Sequence, residues 1–355
     1  MSNLELHYDF HALPSPSHKA GAVGLLLAAE AFGLKVDATA SSLDICFNRG
    51  QFSNFMSWVF QGGTYIDQDG KPKPKKEGKK EHPVPAMLYF RKLCLDSADF
   101  WISRWQDYYH NYLRYAEKMA FGPKKPGQYD GLFEELQDGV GKSDKIVGRR
   151  NLITYAVTAE FQEIRGFVQE NFLLDFTLMS CLPCRVAVSE WNSKEKKWKL
   201  RWPFTAIVIP EPSDLRSFAT RFADDLRQLD GHELEKFVLL PQEAALVFLS
   251  SFIHEDVSSI ARYLNWVHVI CLGRNSYGRE CESVERVLVD PIVIRQYKNF
   301  RKELWCPPVR REVLMSLLNG EPWYSRLGPL LEKSPTEACQ GPFAHDMRFL
   351  RKKLA

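Results

Sequence analysis

"FHALPSPSHKAGAVGLLLAAEAFG", residues 10–33, joins a prolyl turn to an almost uniformly apolar stretch. Ser15 followed by Pro16 predicts a helix start, because a serine side chain caps a free amide and proline lacks an amide that would be unpaired there. Gly33 predicts the helix end. Since only Glu30 interrupts the run between Ala20 and Leu34, we expect a helix that is buried on most sides.

The segments on either side of this helix alternate between apolar and polar residues. "LELHYDF", residues 4–10, and "SLDICFN", residues 42–48, have the two-residue period of half-buried strands. "FSNFMSWVFQGG", residues 52–63, returns to helical spacing. The first 63 residues therefore predict the element order β-α-β-α.

Further along the chain the patterns predict a mixture of helices and strands. Residues 86–121 read as a helix whose aromatic side chains form one stripe, which we expect in the core. The stripe consists of Trp101, Trp105, Tyr108, Tyr109 and Tyr112. Residues 122–150 are rich in glycine and charge and predict irregular structure, and residues 151–172 predict a helix. "CRVAVSEW" and "WKLRWPFTAIVIP" predict two strands joined by the basic turn "NSKEKK".

From Pro241 onward the chain reads as mainly helical, with one short strand at "RVLVDPIVI". The predicted fold class is α+β, with a mixed N-terminal α/β domain, a middle region that contains a β-hairpin, and a mainly helical C-terminal module. We place the N-terminal domain at residues 1–239, with a basic loop at 67–85, and the C-terminal module at residues 240–355.

Composition indicates an ordinary globular protein. The 355 residues suffice for about two domains, and 47 Lys and Arg against 44 Asp and Glu give a net charge of only +3. The eight cysteines are scattered rather than spaced as a disulfide framework, which favours a reducing cytosol and a cytoplasmic location. The longest apolar run is too short to span a bilayer, and the N-terminus lacks the pattern of a secretion signal. We expect neither secretion nor membrane insertion.

Positive charge is concentrated in two segments. Between residues 71 and 85, Lys71, Lys73, Lys75, Lys76, Lys79 and Lys80 are opposed only by Glu77 and Glu81. This run suits phosphate binding, and a solvated loop is an equally good interpretation. In "RQYKNFRKELW", the cations recur at near-helical spacing with aromatic residues between them, which predicts a basic helix face along a nucleic-acid backbone.

Catalytic motifs are missing from the sequence. HExxH, GxSxG, GxxxxGKS/T and GxGxxG do not occur, and the nine histidines are dispersed. Cys181 and Cys184 have the spacing of half a zinc site or of a redox pair, but no second pair follows, so we expect two buried thiols. We therefore expect no enzyme, no metal site and no cofactor. The alternative is a nucleic-acid-processing enzyme whose site is assembled from dispersed groups such as His254, Glu255 and Asp256.

The N-terminal turn resembles the start of the large subunit of type I CRISPR surveillance (Cascade) complexes, the Cas-eight family in its myxan-type branch. Those proteins begin with a strand, an LPT/LPS-x-x-H-K/R-A-G turn and a Gly/Leu-rich helix. The corresponding residues here are Leu13, Pro14, Ser15, His18, Lys19, Ala20 and Gly21. The similarity continues more weakly through "FMSWVFQGG", "FWISRWQDYYHNYLR" and "WPFTAIVIPEPSDLRSFATRF", within the N-terminal two-thirds of the chain.

The resemblance implies a non-catalytic subunit at the end of the crRNA-bearing backbone, beside the end-capping subunit. It implies sensing of the protospacer-adjacent motif in duplex DNA, help with R-loop formation, and support of the displaced strand by a C-terminal helical bundle. It also implies docking of a helicase-nuclease, or of a transposition adaptor in systems captured by transposons. The expected partners are crRNA, target double-stranded DNA and the other CRISPR subunits. Large subunits are often longer than this chain, so a separate small subunit can share the strand-holding role.

The residues that read the motif are selected by chemistry, because Asn, Gln and Arg read base edges while Lys contacts phosphate. The predicted DNA-binding residues are Asn48, Arg49, Gln51, Gln61, Gly62, Gly63, Lys71, Lys73, Lys75, Lys76, Lys79, Lys80, Arg295, Lys298, Arg301 and Lys302. His18 and Lys19 are predicted to contact RNA or a neighbouring subunit; the alternative for His18 is that it only closes the turn. A protein-interaction module without nucleic acid is the remaining alternative, and it predicts no salt-dependent binding.

Overall fold

The structure is a computed structural model, and it describes most of the chain in several ranges. These are residues 3–59, 65–66, 72–73, 87–112, 128–145, 165–195, 197–229, 237–254, 257–258, 260–275, 278–301, 303–304, 306–333 and 345–346. The fold is a mixed α+β fold, as the sequence predicts.

The N-terminal half of the described chain alternates helices with short strands. Its elements are β1 (Leu4–Asp9), α1 (Pro16–Phe32), β2 (Val36–Ala38), β3 (Ser42–Phe47), α2 (Arg49–Val59), β4 (Tyr65–Ile66), β5 (Pro72–Lys73), α3 (Met87–Leu93), α4 (Ala98–Tyr112), α5 (Gln128–Asp138), β6 (Ser143–Lys145), β7 (Arg165–Phe167) and α6 (Val168–Leu173). A 3-10 helix, Leu174–Met179, continues directly from α6. Strands β1, β3 and β2 form an antiparallel sheet in that order.

The remaining elements build the largest sheet and the helices around it. They are β8 (Leu182–Asn192), β9 (Lys197–Pro212), α7 (Leu215–Gln228), β10 (Phe237–Val238), α8 (Pro241–Ser251), β11 (Ile253–His254), β12 (Val257–Ser258), β13 (Leu264–Asn275), β14 (Gly278–Leu288), α9 (Pro291–Phe300), α10 (Pro307–Leu318) and α11 (Gly328–Lys333). The five-stranded sheet has the order β10-β8-β9-β13-β14, and only the pairing of β10 with β8 is parallel.

Helix α1 is the centre of the packing, and its residues 20–29 are all buried. A Cβ atom at Gly21 would stand 2.1 Å from the carbonyl oxygen of Leu173, and one at Gly24 would stand 2.1 Å from that of Phe176. The hydroxyl of Ser180 donates a hydrogen bond to a backbone carbonyl of α1 at 2.8 Å. The two glycines therefore let α6 and the 3-10 helix lie directly against α1, which also contacts β9 and α7.

Most of the apolar side chains belong to one continuous core that extends from Leu4 to Leu314. Trp101 and Trp105 of the predicted aromatic stripe are buried in it, which confirms the stripe as core at these two positions. The side chains of Tyr108, Tyr109 and Tyr112 lie outside the described part. A smaller cluster around α10 contains Val309 and Val313.

The predicted order of the first 63 residues is confirmed, with the short strand β2 added. The hairpin β8–β9 is also confirmed. Residues 122–150 were expected to be irregular, and this is wrong for α5, which carries a buried Phe133 and Leu136. The long helix predicted for 86–121 is interrupted between α3 and α4, where Leu95 adopts a left-handed backbone with φ 42°.

The C-terminal module contains more strand than the sequence predicts. The "RVLVDPIVI" segment divides between the end of β14 and the start of α9, and "LNWVHVICLGRN" forms the twelve-residue strand β13. Strand β13 pairs with β9, so the sheet crosses residue 240, where we placed the domain boundary. That boundary stays a prediction. Across the described helices, none combines the length and the apolar character needed to cross a membrane.

Candidate functional site

The turn before α1 is closed by its own side chains. Ser15 caps the helix by accepting a hydrogen bond from the amide of His18, and its Oγ lies 2.7 Å from His18 Nδ1. Burial lowers the pKa of His18 to about 4, although the side chain of Asn171 acts in the opposite direction. The imidazole is therefore neutral at pH 7. This geometry agrees with the turn-closing role for His18, and its predicted contact with RNA or a subunit stays a prediction.

Lys19 belongs to a polar group that the structure assembles at one end of the largest sheet. Its Nζ lies 3.3 Å from Oε1 of Glu211 on β9, and Nε2 of His268 on β13 lies 2.7 Å from Oε2. A guanidinium nitrogen of Arg286 on β14 stands 3.7 Å from the same Oε2. We call Lys19, Glu211, His268 and Arg286 the Glu211 cluster. It joins a residue of the N-terminal motif to three strands that lie far from it in sequence.

Glu211 is the ionised centre of this cluster. Burial by itself raises the pKa of the carboxyl, but the hydrogen bonds from His268 and Lys19 outweigh it, so the net pKa is lowered. The guanidinium of Arg286 stacks 4.0 Å from the centroid of the Trp266 ring, and its side chain is half exposed. One carboxylate thus contacts three basic side chains, of which only that of Arg286 is half exposed.

The predicted base-reading residues at the start of α2 are engaged with one another. Asn48 Oδ1 accepts a hydrogen bond from the amide of Gln51 at 2.8 Å, and Gln51 Oε1 accepts one from the amide of Asn48 at 3.2 Å. This reciprocal pair is a capping box. Arg49 pairs with Glu134 of α5 at 2.8 Å and lies over the ring of Phe133. All three predicted residues are exposed, so the cap holds polar groups at the surface.

Nine of the sixteen predicted DNA-binding residues lie outside the described part of the chain. This applies to Gln61, Gly62, Gly63, Lys71, Lys75, Lys76, Lys79, Lys80 and Lys302. Lys73 lies in β5, which pairs with β4, and its side chain is not described. The DNA-binding role of these residues stays a prediction.

The basic helix face predicted around residues 295–302 needs a correction. Arg295 is exposed and Lys298 half-buried on α9, but Arg301 is only 4% exposed. A guanidinium nitrogen of Arg301 donates to Oγ of Ser250 at 3.1 Å. Tyr297 and Phe300 are buried as well. Arg301 therefore joins α9 to the end of α8, and the exposed basic face is narrower than the sequence spacing suggests.

A buried carboxylate, which was not predicted from the sequence, ties together α8, α9 and α10. Glu243 is fully buried, and its Oε1 accepts hydrogen bonds from Nε of Arg310 at 3.0 Å and from the hydroxyl of Tyr297 at 3.0 Å. Its Oε2 accepts from the amide of Leu239 at 2.6 Å. We call these residues the Glu243 cluster. A glutamate in the apolar run "PQEAALVFL" was the available signal.

A second buried carboxylate, Asp346, accepts a hydrogen bond from the amide of Cys306 at 2.7 Å, just before α10. Cys181 and Cys184 are buried as expected, and burial raises the pKa of the Cys181 thiol. In the described ranges no three His, Cys, Asp or Glu side chains form a group that could hold a metal ion. His254 lies in β11, whereas Glu255 and Asp256 lie outside the described part.

Comparison with known families gives two consecutive matches. The type I-B CRISPR Cas8b N-terminal domain matches residues 63–261, and the type I-B CRISPR Cas8b C-terminal domain matches residues 265–354. Among curated proteins, none matches the chain. The matches support a Cas8 large subunit, and they do not confirm the myxan-type branch that the N-terminal turn suggested. The two matches together cover most of the sequence, and the chain belongs to the type I-B CRISPR Cas8b family of large subunits.

Proposed function

We propose that this chain is the non-catalytic, motif-sensing subunit of its CRISPR complex. In this role it detects the protospacer-adjacent motif in duplex DNA, aids R-loop formation and recruits a helicase-nuclease or a transposition adaptor. The observation that carries the proposal is the match of both Cas8b domains, in order, along one chain. The proposed partners are crRNA, target DNA, and the backbone, end-capping and small subunits, in the cytoplasm.

The division of labour in such a complex suits the chemistry of this chain. Base pairing with a guide RNA reads the target sequence, so the protein has to recognise only a short motif and the phosphate backbone. That task needs amide and guanidinium donors for base edges and lysines for phosphates. The start of α2 presents exposed Asn48, Arg49 and Gln51, and the lysine-rich run follows shortly after it in sequence.

Two fully buried carboxylates have structural partners, which favours a non-catalytic role for them. Glu243 accepts hydrogen bonds from a guanidinium, a phenol and an amide, and Asp346 accepts one from an amide. A general base needs a free lone pair directed at a substrate. These two carboxylates instead fix helices in place.

The phosphate role is tested by salt dependence of DNA binding in the reconstituted complex. One variant replaces Lys75, Lys76, Lys79 and Lys80 with Gln, and a matched control replaces Lys194, Lys196, Lys197 and Lys199 of the β8–β9 hairpin. Each phosphate contact contributes about 0.9 to the slope of log K against log salt. We expect the loop variant to reduce the magnitude of that slope by about 2–4 and the hairpin variant to leave it unchanged.

Equal slopes for the loop variant and the unmodified chain would remove the lysine-rich run from the proposal. A complex whose binding shows no salt dependence would support the interaction module without nucleic acid. Sustained metal-dependent cleavage of labelled DNA, abolished by His254→Ala, would instead support the alternative function, a nucleic-acid-processing enzyme.

A further inference from the structure

Strand β14 forms one edge of the five-stranded sheet. It is eleven residues long, and among the described strands it pairs with β13 alone. Its last part, Val284–Leu288, follows a regular antiparallel register with β13, since the irregularity of this pair lies before it on β14, opposite Cys271 and Leu272. An edge strand of this length presents a row of backbone donors and acceptors to any chain that comes beside it.

The outer face of this edge is unusually apolar. Val284 and Leu288 are 51% and 58% exposed, and Ile292, at the start of α9, is 66% exposed. Val284 and Leu288 each lie two positions from Arg286 on the strand. Side chains two positions apart point to the same face, so all three share one face of the sheet. Most single-chain surfaces scatter such residues, whereas a cluster of them marks an interaction site.

Charge at the centre of this face selects the kind of partner. Arg286 is half exposed and lies between the two apolar residues on the strand. Its carboxylate partner Glu211, 3.7 Å away, accepts closer hydrogen bonds from His268 and Lys19. A guanidinium binds a carboxylate with two parallel hydrogen bonds, so Arg286 can take an acidic side chain from outside the chain.

We propose that β14 is a docking edge for an extended segment of another protein subunit of the complex. That segment adds a sixth strand, places a carboxylate on Arg286 and packs apolar side chains on Val284 and Leu288, in an apolar-x-acidic-x-apolar pattern. Backbone hydrogen bonds supply affinity and the alternate side chains supply selectivity. The proposal rests on membership in a multi-subunit complex and is independent of motif sensing.

The test places the photo-crosslinker p-benzoyl-phenylalanine at Leu288 in the complex reconstituted with crRNA. A matched control places it at Val140, which is 67% exposed in the turn after α5. We expect position 288 to crosslink to one protein subunit, at a segment with the apolar-x-acidic-x-apolar pattern. Position 140 should give no such crosslink. Crosslinks to crRNA or DNA, crosslinks to a second copy of this chain, or a yield no higher than at Val140 would overturn the proposal.

The charge requirement is tested by Arg286→Glu, with Arg201→Glu on β9, a more exposed arginine that also pairs with a glutamate, as the control. We expect the first change to lower the crosslink yield about tenfold and the second to leave it unchanged. An unchanged yield with Arg286→Glu would contradict the acidic partner. Thermal unfolding verifies that both variants are folded, and Val284→Lys gives a second disruption that leaves the Glu211 cluster intact. Retention of DNA with a selected flank, measured on the same samples, reports on motif sensing separately.

Discussion

The Glu243 cluster and the Glu211 cluster place the same kind of group in two different environments. Each consists of a glutamate that receives donors from several elements of the fold. Glu243 is fully buried and is paired with Arg310, which is itself almost buried. Glu211 is partly exposed, and Arg286 beside it is half exposed. The first cluster has its donors enclosed, whereas the second leaves the guanidinium of Arg286 half exposed to solvent.

This difference teaches that burial, rather than residue type, separates a structural ion pair from a binding surface. A buried carboxylate cannot exchange its partner for a ligand without leaving an uncompensated charge. A partly exposed cluster can accept an additional ligand, because water already reaches it. The Glu243 cluster therefore holds the C-terminal helices together, and the Glu211 cluster borders the proposed docking edge.

The largest expected effect comes from removing the buried carboxylate. Glu243→Ala leaves Arg310 buried without its counter-charge, so we expect the free energy of unfolding to fall by about 3–5 kcal/mol. Urea unfolding of the purified chain measures this. Glu190→Ala, which breaks the exposed pair with Arg201, is the control and should cost less than about 1 kcal/mol. Similar losses in the two variants would contradict the contrast.

Burial also differs between two neighbouring residues of the N-terminal turn. His18 is buried, whereas Lys19 of the Glu211 cluster is partly exposed. The pKa of His18 is lowered to about 4 in the folded chain from 6.5, so the unfolded chain binds the proton first. The contribution of the neutral His18 to the free energy of unfolding is complete above pH 6.5. It falls by about 2–3 kcal/mol as the pH drops toward 4. We expect His18→Asn to lose this part of the pH dependence in urea unfolding. The same pH profile in both proteins would show that His18 does not titrate as described.

A smaller effect is expected for the partly exposed carboxylate. Glu211→Gln weakens the bonds from His268 and Lys19 and should cost about 1–2 kcal/mol at pH 7. The pKa of Glu211 is lowered, so its contribution is present above its ordinary pKa of 4.5 and is lost as the pH falls through the folded value. The stability difference between the two proteins should therefore shrink in acid. A difference that stays constant down to pH 3 would contradict this.

The smallest effect on stability is expected at the exposed end of the cluster. Arg286→Ala removes a half-exposed guanidinium and its stacking on Trp266, so we expect a loss below about 1 kcal/mol. The same change should weaken subunit docking. Thermal unfolding measures the first, and co-purification of the complex measures the second. A loss comparable to that of Glu243→Ala would make Arg286 part of the core instead.

Local patterns predicted the parts of the fold that depend on local physics. The cap at Ser15, the buried helix with Gly33 at its end, and the β8–β9 hairpin follow from capping chemistry and apolar periodicity. Strand β13 was missed because its near-continuous apolar run does not alternate, as is typical of a strand covered on both faces. Arg301 and Glu243 were misjudged or missed because burial of a charged residue depends on partners that lie far away in sequence.

The proposal that this subunit reads a short flanking motif is tested most directly by selection from a duplex library. The library carries a fixed target beside randomised flanking bases and is bound by the complex reconstituted with crRNA. We predict retention of one short flanking motif, lost when Gln61→Ala is combined with the four loop lysine changes, and kept in the matched hairpin variant. Retention that ignores the flanking bases would contradict the claim and leave the chain a structural or recruitment subunit.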